Sequence, residues 1–334
     1  MPQRRLRTQA ITEGAILAAF VAILALARVY LPILQLASIY LIPLPLAILV
    51  IRQGFITALL AAGVAGVIAG LMAGPLSGAG FVLTYAPVGL ALGWGAARGR
   101  SAPAILSVTA LVSIVSLLAG LALMLALSGV NPFRTMFELM QSRQAAVVAL
   151  TRSLGGDPSR LQQQSQQTAQ ALAFLPRLVP FLILGGGLAA AWLNYHVARV
   201  VLGRLGYPLP GLPRASGWRL PAFTVFILPL AGLLVSYGRP RIFSPFEPGI
   251  EVPPQGIIPI LGLNVAVLLQ VAFFLQGLLV GWIWLEGRGV SAVGRILLLL
   301  LLLGPLVPLV GMADSIFRLR ERWMPRPAAA GGEA

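Results

Sequence analysis

The stretch GFITALLAAGVAGVIAGLMAG, residues 54–74, places small residues at every fourth position in two interleaved rows. Ala58, Ala62, Gly66, Gly70 and Gly74 make one row, and Ala61, Ala65, Ala69 and Ala73 the other. At about 100° per residue both rows fall on one half of a helix, and Leu60, Val64, Val67, Ile68, Leu71 and Met72 fall on the opposite half. Hydrocarbon gives helices no hydrophobic reason to associate, so their contact relies on short-range dispersion, and a nearly bare backbone permits the necessary approach. The spacing therefore predicts the central packing helix of a membrane bundle, with its small face towards other helices and its large face towards lipid or a partner. Thr57 is the one hydrogen-bonding side chain in the stretch, so any recognition of a solute must come from elsewhere.

Composition supports the same class. The chain has 334 residues, 58% of them hydrophobic and only 10% charged, whereas soluble domains carry about 25% charged residues. This is a polytopic, all-α integral membrane protein. All 24 basic residues are arginine, which removes the lysine of a phosphate-binding loop and of a Schiff base, so the chain is not its own ATPase. With no cysteine and one histidine, the ligand sets of zinc and iron–sulfur centres are missing, as is any disulfide framework. No metal and no cofactor is expected. The net charge of +15 would suit a nucleic acid, but the arginines sit at the ends of apolar runs, where membrane topology accounts for them. The lipid bilayer is the partner that composition implies, and a nucleic acid is not.

Outward from the opening stretch, apolar runs cover about 11–31, 33–51, 81–97, 102–127, 180–201, 221–237, 257–285 and 296–312. Arg4, Arg5 and Arg7 precede the first run, whose full spanning length favours a membrane helix over a cleaved signal peptide. Pro43 and Pro45 should break or bend the second. Gly89, Gly93 and Ala97 repeat the four-residue spacing, which makes the 81–97 helix the expected neighbour of Gly66 and Gly70. Residues 131–174 form the one sizeable hydrophilic excursion. Gly155-Gly156-Asp157-Pro158-Ser159 divides it into two helices, which either rest in the membrane interface or pack over the mouth of the bundle. From a cytoplasmic N-terminus, strict alternation puts Arg52, Arg98, Arg100, the cluster Arg199 to Arg219, Arg288 and Arg295 inside. The arginine-rich end stays inside as well if 296–312 folds back at Gly304-Pro305. The expectation is a bundle of 8–9 transmembrane helices: eight spans and a broken ninth segment. Its parts are a six-helix bundle at 1–204 interrupted by the excursion at 131–174, additional membrane helices at 205–317, and a disordered basic tail at 318–334.

All nine acidic residues lie near span ends or in loops. A carrier coupled to ions or protons commonly keeps an ionisable group on its pathway, so this pattern argues against a self-sufficient proton-driven pump and against catalysis. A Ser/His/Asp hydrolase would have to use the lone His196. No catalytic residue is assigned. Within the apolar runs, Asn264, Gln270 and Gln276 fall about 120° apart on three faces of one helix, each as an interhelical hydrogen bond or a ligand contact. Tyr40, Tyr85, Asn194 and Tyr195 are the other candidates for orienting a small solute, the alternative for the tyrosines being anchorage at the interface.

Several motifs carry a family resemblance. Asn194-Tyr195, Arg199, Leu202, Arg204-Leu205-Gly206, Leu209-Pro210 and Trp218-Arg219-Leu220-Pro221 resemble the linker of the YybS-like family of uncharacterised bacterial membrane proteins. Leu275-Gln276-Gly277 and Gly311-Met312-Ala313-Asp314, with Phe317 and Arg318 to Arg320, resemble that family's closing pattern, Ile316 standing where an aromatic residue is expected. The resemblance implies the bacterial cytoplasmic (inner) membrane. More distantly, the first six segments resemble the S components of energy-coupling-factor transporters. Thr12-Glu13-Gly14-Ala15 with Ala19 is similar to the alanine-rich helix by which those subunits dock on a transmembrane coupling protein served by separate ATPases. Pro43-Leu44-Pro45 through Arg52-Gln53-Gly54 and Ala58 is similar to their passage from second to third helix. The resemblance implies a non-catalytic, small-solute-binding subunit of a multi-chain uptake transporter, docking through Glu13, Ala15 and Ala19. The rival expectation is a membrane scaffold or envelope-assembly protein, docking through the basic cluster that holds Arg204, Trp218 and Arg219 and through the excursion.

Overall fold

The computed structural model describes residues 2–31, 39–155, 157–212, 217–237, 255–301 and 306–323. Among them every regular element is helical. In chain order these are α1 (Pro2–Tyr30), α2 (Pro43–Gln53), α3 (Phe55–Ala73), α4 (Pro75–Thr84), α5 (Ala86–Ala97), α6 (Ala102–Ser128), α7 (Pro132–Ser153) and α8 (Pro158–Phe174). A 3₁₀ turn (Leu175–Leu178) leads into α9 (Val179–Arg204), followed by α10 (Thr224–Val235), α11 (Ile257–Gly287), α12 (Ala292–Leu301), α13 (Leu306–Phe317) and α14 (Leu319–Trp323). Among the described residues, five helical stretches are long and apolar enough to cross a bilayer: Phe55–Ala73, Pro75–Ala97, Ala102–Ser128, Ser165–Arg204 and Ile257–Gly287. Shorter apolar helices lie at Gly14–Ala27, Ile39–Gln53, Thr224–Val235 and Leu306–Phe317.

The chain divides into two compact units. The first comprises Met1–Ser142 and Leu182–Leu212, the second Arg143–Phe181 and Pro213–Ala334. The excursion does not form a piece of its own, because its first eleven helical residues belong with the first unit and the rest with the second.

In the first unit α3 is two-faced. Ala58, Ala61, Ala62, Ala65, Gly66 and Ala69 are buried, while Leu60, Val64, Val67, Leu71 and Met72 are exposed. The buried alanines join Val21, Ala22 and Ala25 of α1, Ile42, Leu46 and Leu49 about the start of α2, and Phe81 of α4 in one apolar cluster. A second cluster gathers Leu44 and Ala47 of α2, Val88 and Leu92 of α5, Ile105 of α6, and Ala198 and Leu202 of α9. Helix α2 thus feeds both clusters. The second apolar run is broken where its prolines should break it: helix at 39–41 gives way to a turn at Ile42, and Pro43 and Pro45 open α2, where a missing backbone donor costs nothing.

The 81–97 run does neighbour Gly66, which meets Val82; what is corrected is where its helix begins and what Gly89 and Gly93 pack against. The helix before Tyr85 begins at Pro75, six residues before Phe81. Gly74, at φ +90°, makes the corner between α3 and α4, a backbone conformation that residues with a Cβ rarely adopt. The resulting hairpin gives Gly66 and Gly70 a partner on α4. A methyl group on Gly78 would collide with the carbonyl oxygen of Gly66 and come within 2.7 Å of the backbone of Gly70. Gly89 and Gly93 serve a different pair, α5 against α2: a Cβ on Gly93 would lie 2.6 Å from Val50 and 2.7 Å from the Ala47 carbonyl oxygen. A tight corner brings sequence neighbours together before any more distant helix with matching spacing.

In the second unit α10 and α13 both pack on α11 through glycines. A Cβ on Gly262 would lie 2.7 Å from Leu234 and 2.8 Å from the Ala231 carbonyl oxygen of α10. Gly277 of α11 lies against the Val307 carbonyl and Gly311 of α13 against the Phe273 carbonyl, so that a side chain on either would strike backbone. The expectation of a disordered tail from residue 318 is corrected in its first part: Leu319–Trp323 is helical and Arg320 is buried. The remainder of that tail, 324–334, and the expected break at Gly304-Pro305 lie outside the described residues.

Candidate functional site

The first unit holds a cavity of about 310 Å³ between the N-terminal end of α2, the α4–α5 junction, α6 and α9. Its wall is bare on the α9 side, where Gly186, Gly187, Ala189 and Ala190 present almost no side chain. Gly187 fits tightly against Ile114 of α6, which sets Ser113 beside α9. Asn194, two turns beyond Gly187 on the same face, lines the cavity together with Tyr40, Tyr85 and Ser113. A larger space of about 550 Å³, bounded by Leu76, Ser77, Met124, Phe133 and Met136, shares Thr84, Tyr85 and Leu117 with it.

Two polar side chains that border the inner cavity are incompletely paired within the helix packing beside it. Asn194 donates from Nδ2 to the Ala190 carbonyl oxygen at 2.9 Å, one turn back. Its Oδ1 is buried without a hydrogen-bond partner among the described residues, and so is Ser113 Oγ. Asn194 is only 2% exposed and Ser113 5%, so lack of access to bulk water makes these orphans costly. Nearby Thr109 shows the usual solution for a hydroxyl on a buried helix: its Oγ1 donates to the Ile105 carbonyl oxygen at 2.7 Å. Ser113 lies eleven residues after Ala102, the start of α6, and Asn194 ten residues before Arg204, the end of α9. At about 1.5 Å per residue Ser113 is roughly 16 Å along α6 from its start, whereas Asn194 is about 7 Å along α9 from Arg199, the first arginine of the basic cluster.

The sequence candidates therefore separate. Tyr40, Tyr85 and Asn194 meet at one cavity, and Ser113 joins them. Tyr195 turns away: it is fully buried in the second apolar cluster and donates to the Pro210 carbonyl oxygen at 2.5 Å, pinning the segment after α9. His196 pairs through Nδ1 with the Trp192 carbonyl oxygen at 3.0 Å and stacks on that indole.

The other three polar candidates lie in the second unit. Asn264 accepts from the Phe181 N–H at 2.7 Å and donates to the carbonyl oxygens of Arg177 and Ile260, each at 2.7 Å. These bonds satisfy backbone groups where the 3₁₀ turn enters α9. Asn264→Leu is expected to cost about 1–3 kcal/mol of stability, the desolvation of groups left unpaired, and to leave ligand binding in the first unit unchanged. Detergent-denaturation midpoints and a binding assay on the same sample check both parts. Gln270 is half-buried and takes part in no such set.

Gln276 is the centre of a polar node. Its Oε1 accepts from the Leu220 N–H at 2.9 Å. Its Nε2 lies within hydrogen-bonding distance of Asp314 Oδ2 (2.8 Å), Ser315 Oγ (3.0 Å) and the Gly311 carbonyl oxygen (3.1 Å). Asp314 in turn pairs with Arg320, at 2.7 Å from Nη2 and 2.9 Å from Nε, and accepts from the Arg320 N–H at 3.1 Å. Arg219 reaches Glu321 at 2.8 Å at the rim. The expected docking residues differ in exposure: Ala15, Ala19, Arg204, Trp218 and Arg219 all reach the surface in whole or part, and the side chain of Glu13 lies outside the described residues. Among the described residues, no cluster of three histidine, cysteine or acidic side chains could hold a metal ion.

The node joins three separate sequence motifs, Trp218 to Pro221, Leu275 to Gly277 and Gly311 to Asp314. The DUF2232 family, described as predicted membrane proteins, matches residues 19–315. The chain belongs to this family. Among DUF2232-like sequences, the uncharacterised protein YybS of Bacillus subtilis (strain 168) is 24% identical over 273 residues, which cover 81% of this chain and 83% of that one. No solved structure matches. The described part of this DUF2232 chain is thus the structure of a helical membrane protein with two polar centres, one fully paired and one not.

Proposed function

We propose that this protein binds a small solute within the membrane, without catalysis, as the recognition subunit of a multi-chain uptake transporter in the bacterial cytoplasmic membrane. One observation carries the reading: a cavity of the first unit whose otherwise apolar wall brings together Tyr40, Tyr85, Ser113 and Asn194 from four separate parts of the chain. The Gln276 node has its hydrogen-bonding groups engaged with one another, and we assign it to holding α10, α11 and α13 together. The proposal includes eight spans with a broken ninth segment, a cytoplasmic N-terminus, and a six-helix first part similar to an S component.

Coupling would use α1. Ala15 and Ala19 lie exposed on a helix that also exposes Ile16, Phe20 and Ile23, a surface with small residues through which another membrane helix can approach. Ala15→Arg is expected to abolish co-purification with a coupling protein and ATPases while leaving the chain monodisperse. Tagged wild-type protein that purifies alone, with uptake unaffected by the substitution, would count against the coupling. A bound metabolite in mass spectra of the purified protein tests the solute-binding part.

A scaffold is the second reading. The observation in its favour is the run Val147, Leu150 and Leu154, each more than half exposed at the end of α7, a surface suited to docking. Crosslinks from this segment to envelope or division proteins, with no bound metabolite, would favour it.

A further inference from the structure

We infer that α7 is a membrane-surface anchor: its exposed apolar face lies in the headgroup boundary of an anionic bilayer, beside the span that precedes it, and Arg143 meets lipid phosphate from the middle of that face. The inference stands apart from the solute-binding reading and competes with the scaffold reading for the same residues.

At about 100° per residue, Met136, Leu139, Met140, Val147, Leu150 and Leu154 fall within an arc of about 100° that runs the length of α7 and one residue past it. All six are exposed, from 41% at Met136 to 77% at Leu154, and α7 packs closely on no other helix among the described residues. The chain itself therefore leaves this face uncovered, and a contiguous apolar surface of this kind marks an interaction site. Arg134, Glu138, Gln141 and Arg152 fall on the opposite side. That side is too polar to enter hydrocarbon, so the helix suits the plane of the interface and not a crossing.

Position brings the bilayer to it. Ser128 ends α6, a helix long and apolar enough to span, and Pro132 begins α7. Four residues reach at most about 14 Å, which keeps the start of α7 close to the headgroups. Charge then selects lipid over protein. The helix carries three arginines and one glutamate, and the glutamate is taken: Arg134 Nε lies 2.8 Å from Glu138 Oε1. Arg143 and Arg152 are exposed and make no ion pair among the described residues. Arg143 stands near the centre of the apolar arc. Covered by another protein, it would be a buried cation in need of a carboxylate. At a bilayer its stem lies along the apolar surface while the guanidinium reaches the phosphates.

The test uses the absence of cysteine from the chain. Single thiols on α7 of the full-length protein are labelled with the fluorophore NBD, and the monodisperse products are placed in nanodiscs of phosphatidylcholine with or without phosphatidylglycerol. Val147→Cys and Leu150→Cys lie on the apolar arc, whereas Ala145→Cys and Ala149→Cys lie on the other face and are also exposed. The two faces are roughly 10 Å apart, and a docked face sits about 5–10 Å into the boundary. With phosphatidylglycerol present, doxyl-labelled lipid should quench the first pair strongly and aqueous iodide weakly, and the second pair should behave the other way round. Arg143→Gln should lower the ratio of docked to undocked helix about fivefold, the equivalent of about 1 kcal/mol for one basic side chain at an anionic surface. Removal of phosphatidylglycerol should lower it further, because Arg152 then loses its attraction too. If iodide quenches all four labels alike, the face lies in water and the inference is overturned. If the first pair is shielded from both quenchers, a protein surface covers it, and the scaffold reading takes its place. Equal immersion in both kinds of disc, unaltered by Arg143→Gln, would overturn the part assigned to charge.

Discussion

Gly78→Ala is expected to force α3 and α4 apart, at a cost of about 3 kcal/mol, the upper end of the range for overpacked sites. The added methyl group meets the carbonyl oxygen of Gly66 and the backbone of Gly70, and main-chain atoms of a hydrogen-bonded helix cannot step aside as a side-chain end can. Gly66→Leu attacks the same seam from the other helix, against Val82, and should misassemble outright. Gly63 supplies the control, because a Cβ there meets nothing within 4 Å. Gly63→Ala should be neutral or stabilise by about 0.5–1 kcal/mol through the reduced conformational freedom of the unfolded chain. Folding yield by size-exclusion chromatography and midpoints of unfolding in sodium dodecyl sulfate separate the three. A normally assembled Gly66→Leu protein would show that the small-residue rows are composition without packing.

Asp314→Leu should be comparably damaging for an electrostatic reason. It strands the buried guanidinium of Arg320, whose side chain is 3% exposed, and also strips Gln276 Nε2 of its 2.8 Å acceptor. Loss of one partner of a buried ion pair costs about 3–5 kcal/mol, whereas replacing both by apolar groups of similar volume is often close to neutral. The double variant Asp314→Leu, Arg320→Met should therefore recover most of the lost stability, a non-additivity that a double-mutant cycle reads directly. Equal damage from the single and double variants would mean that the pair itself contributes little and that Gln276 is the group that matters.

The two faces of α3 are legible in the sequence because small and large residues separate at helical period and the chain is apolar throughout. The start of α4 is not. Pro75 to Gly80, PLSGAG, has the composition of a loop in water, but inside a bilayer the backbone must satisfy its own hydrogen bonds, and the same residues are helical. Gly78 is missed with it, so the backbone partner of Gly66 and Gly70 goes unseen, although the run that holds Val82 is the right neighbour. Tyr40, Tyr85 and Asn194 can be picked out as polar groups in apolar surroundings, though nothing in their spacing says that they meet. Ser113 is hidden because a serine in an apolar helix ordinarily bonds back to its own backbone, as Thr109 does. Asp314 and Arg320, six residues apart, match no helical repeat. They meet because Arg318 takes a left-handed conformation, φ +54°, rare for a side-chain-bearing residue, and turns the chain back onto the helix end.

The ion pair between Arg219 and Glu321 bears on the topology of everything between them. Charged residues 2.8 Å apart and outside the hydrocarbon share one side of a bilayer, so the expectation for the chain between them is an even number of passes. Parity is a property that local rearrangement of a helix end does not alter. A reporter domain joined after Trp323 would accordingly read out the compartment that contains Arg219, and with it the orientation of the whole second unit.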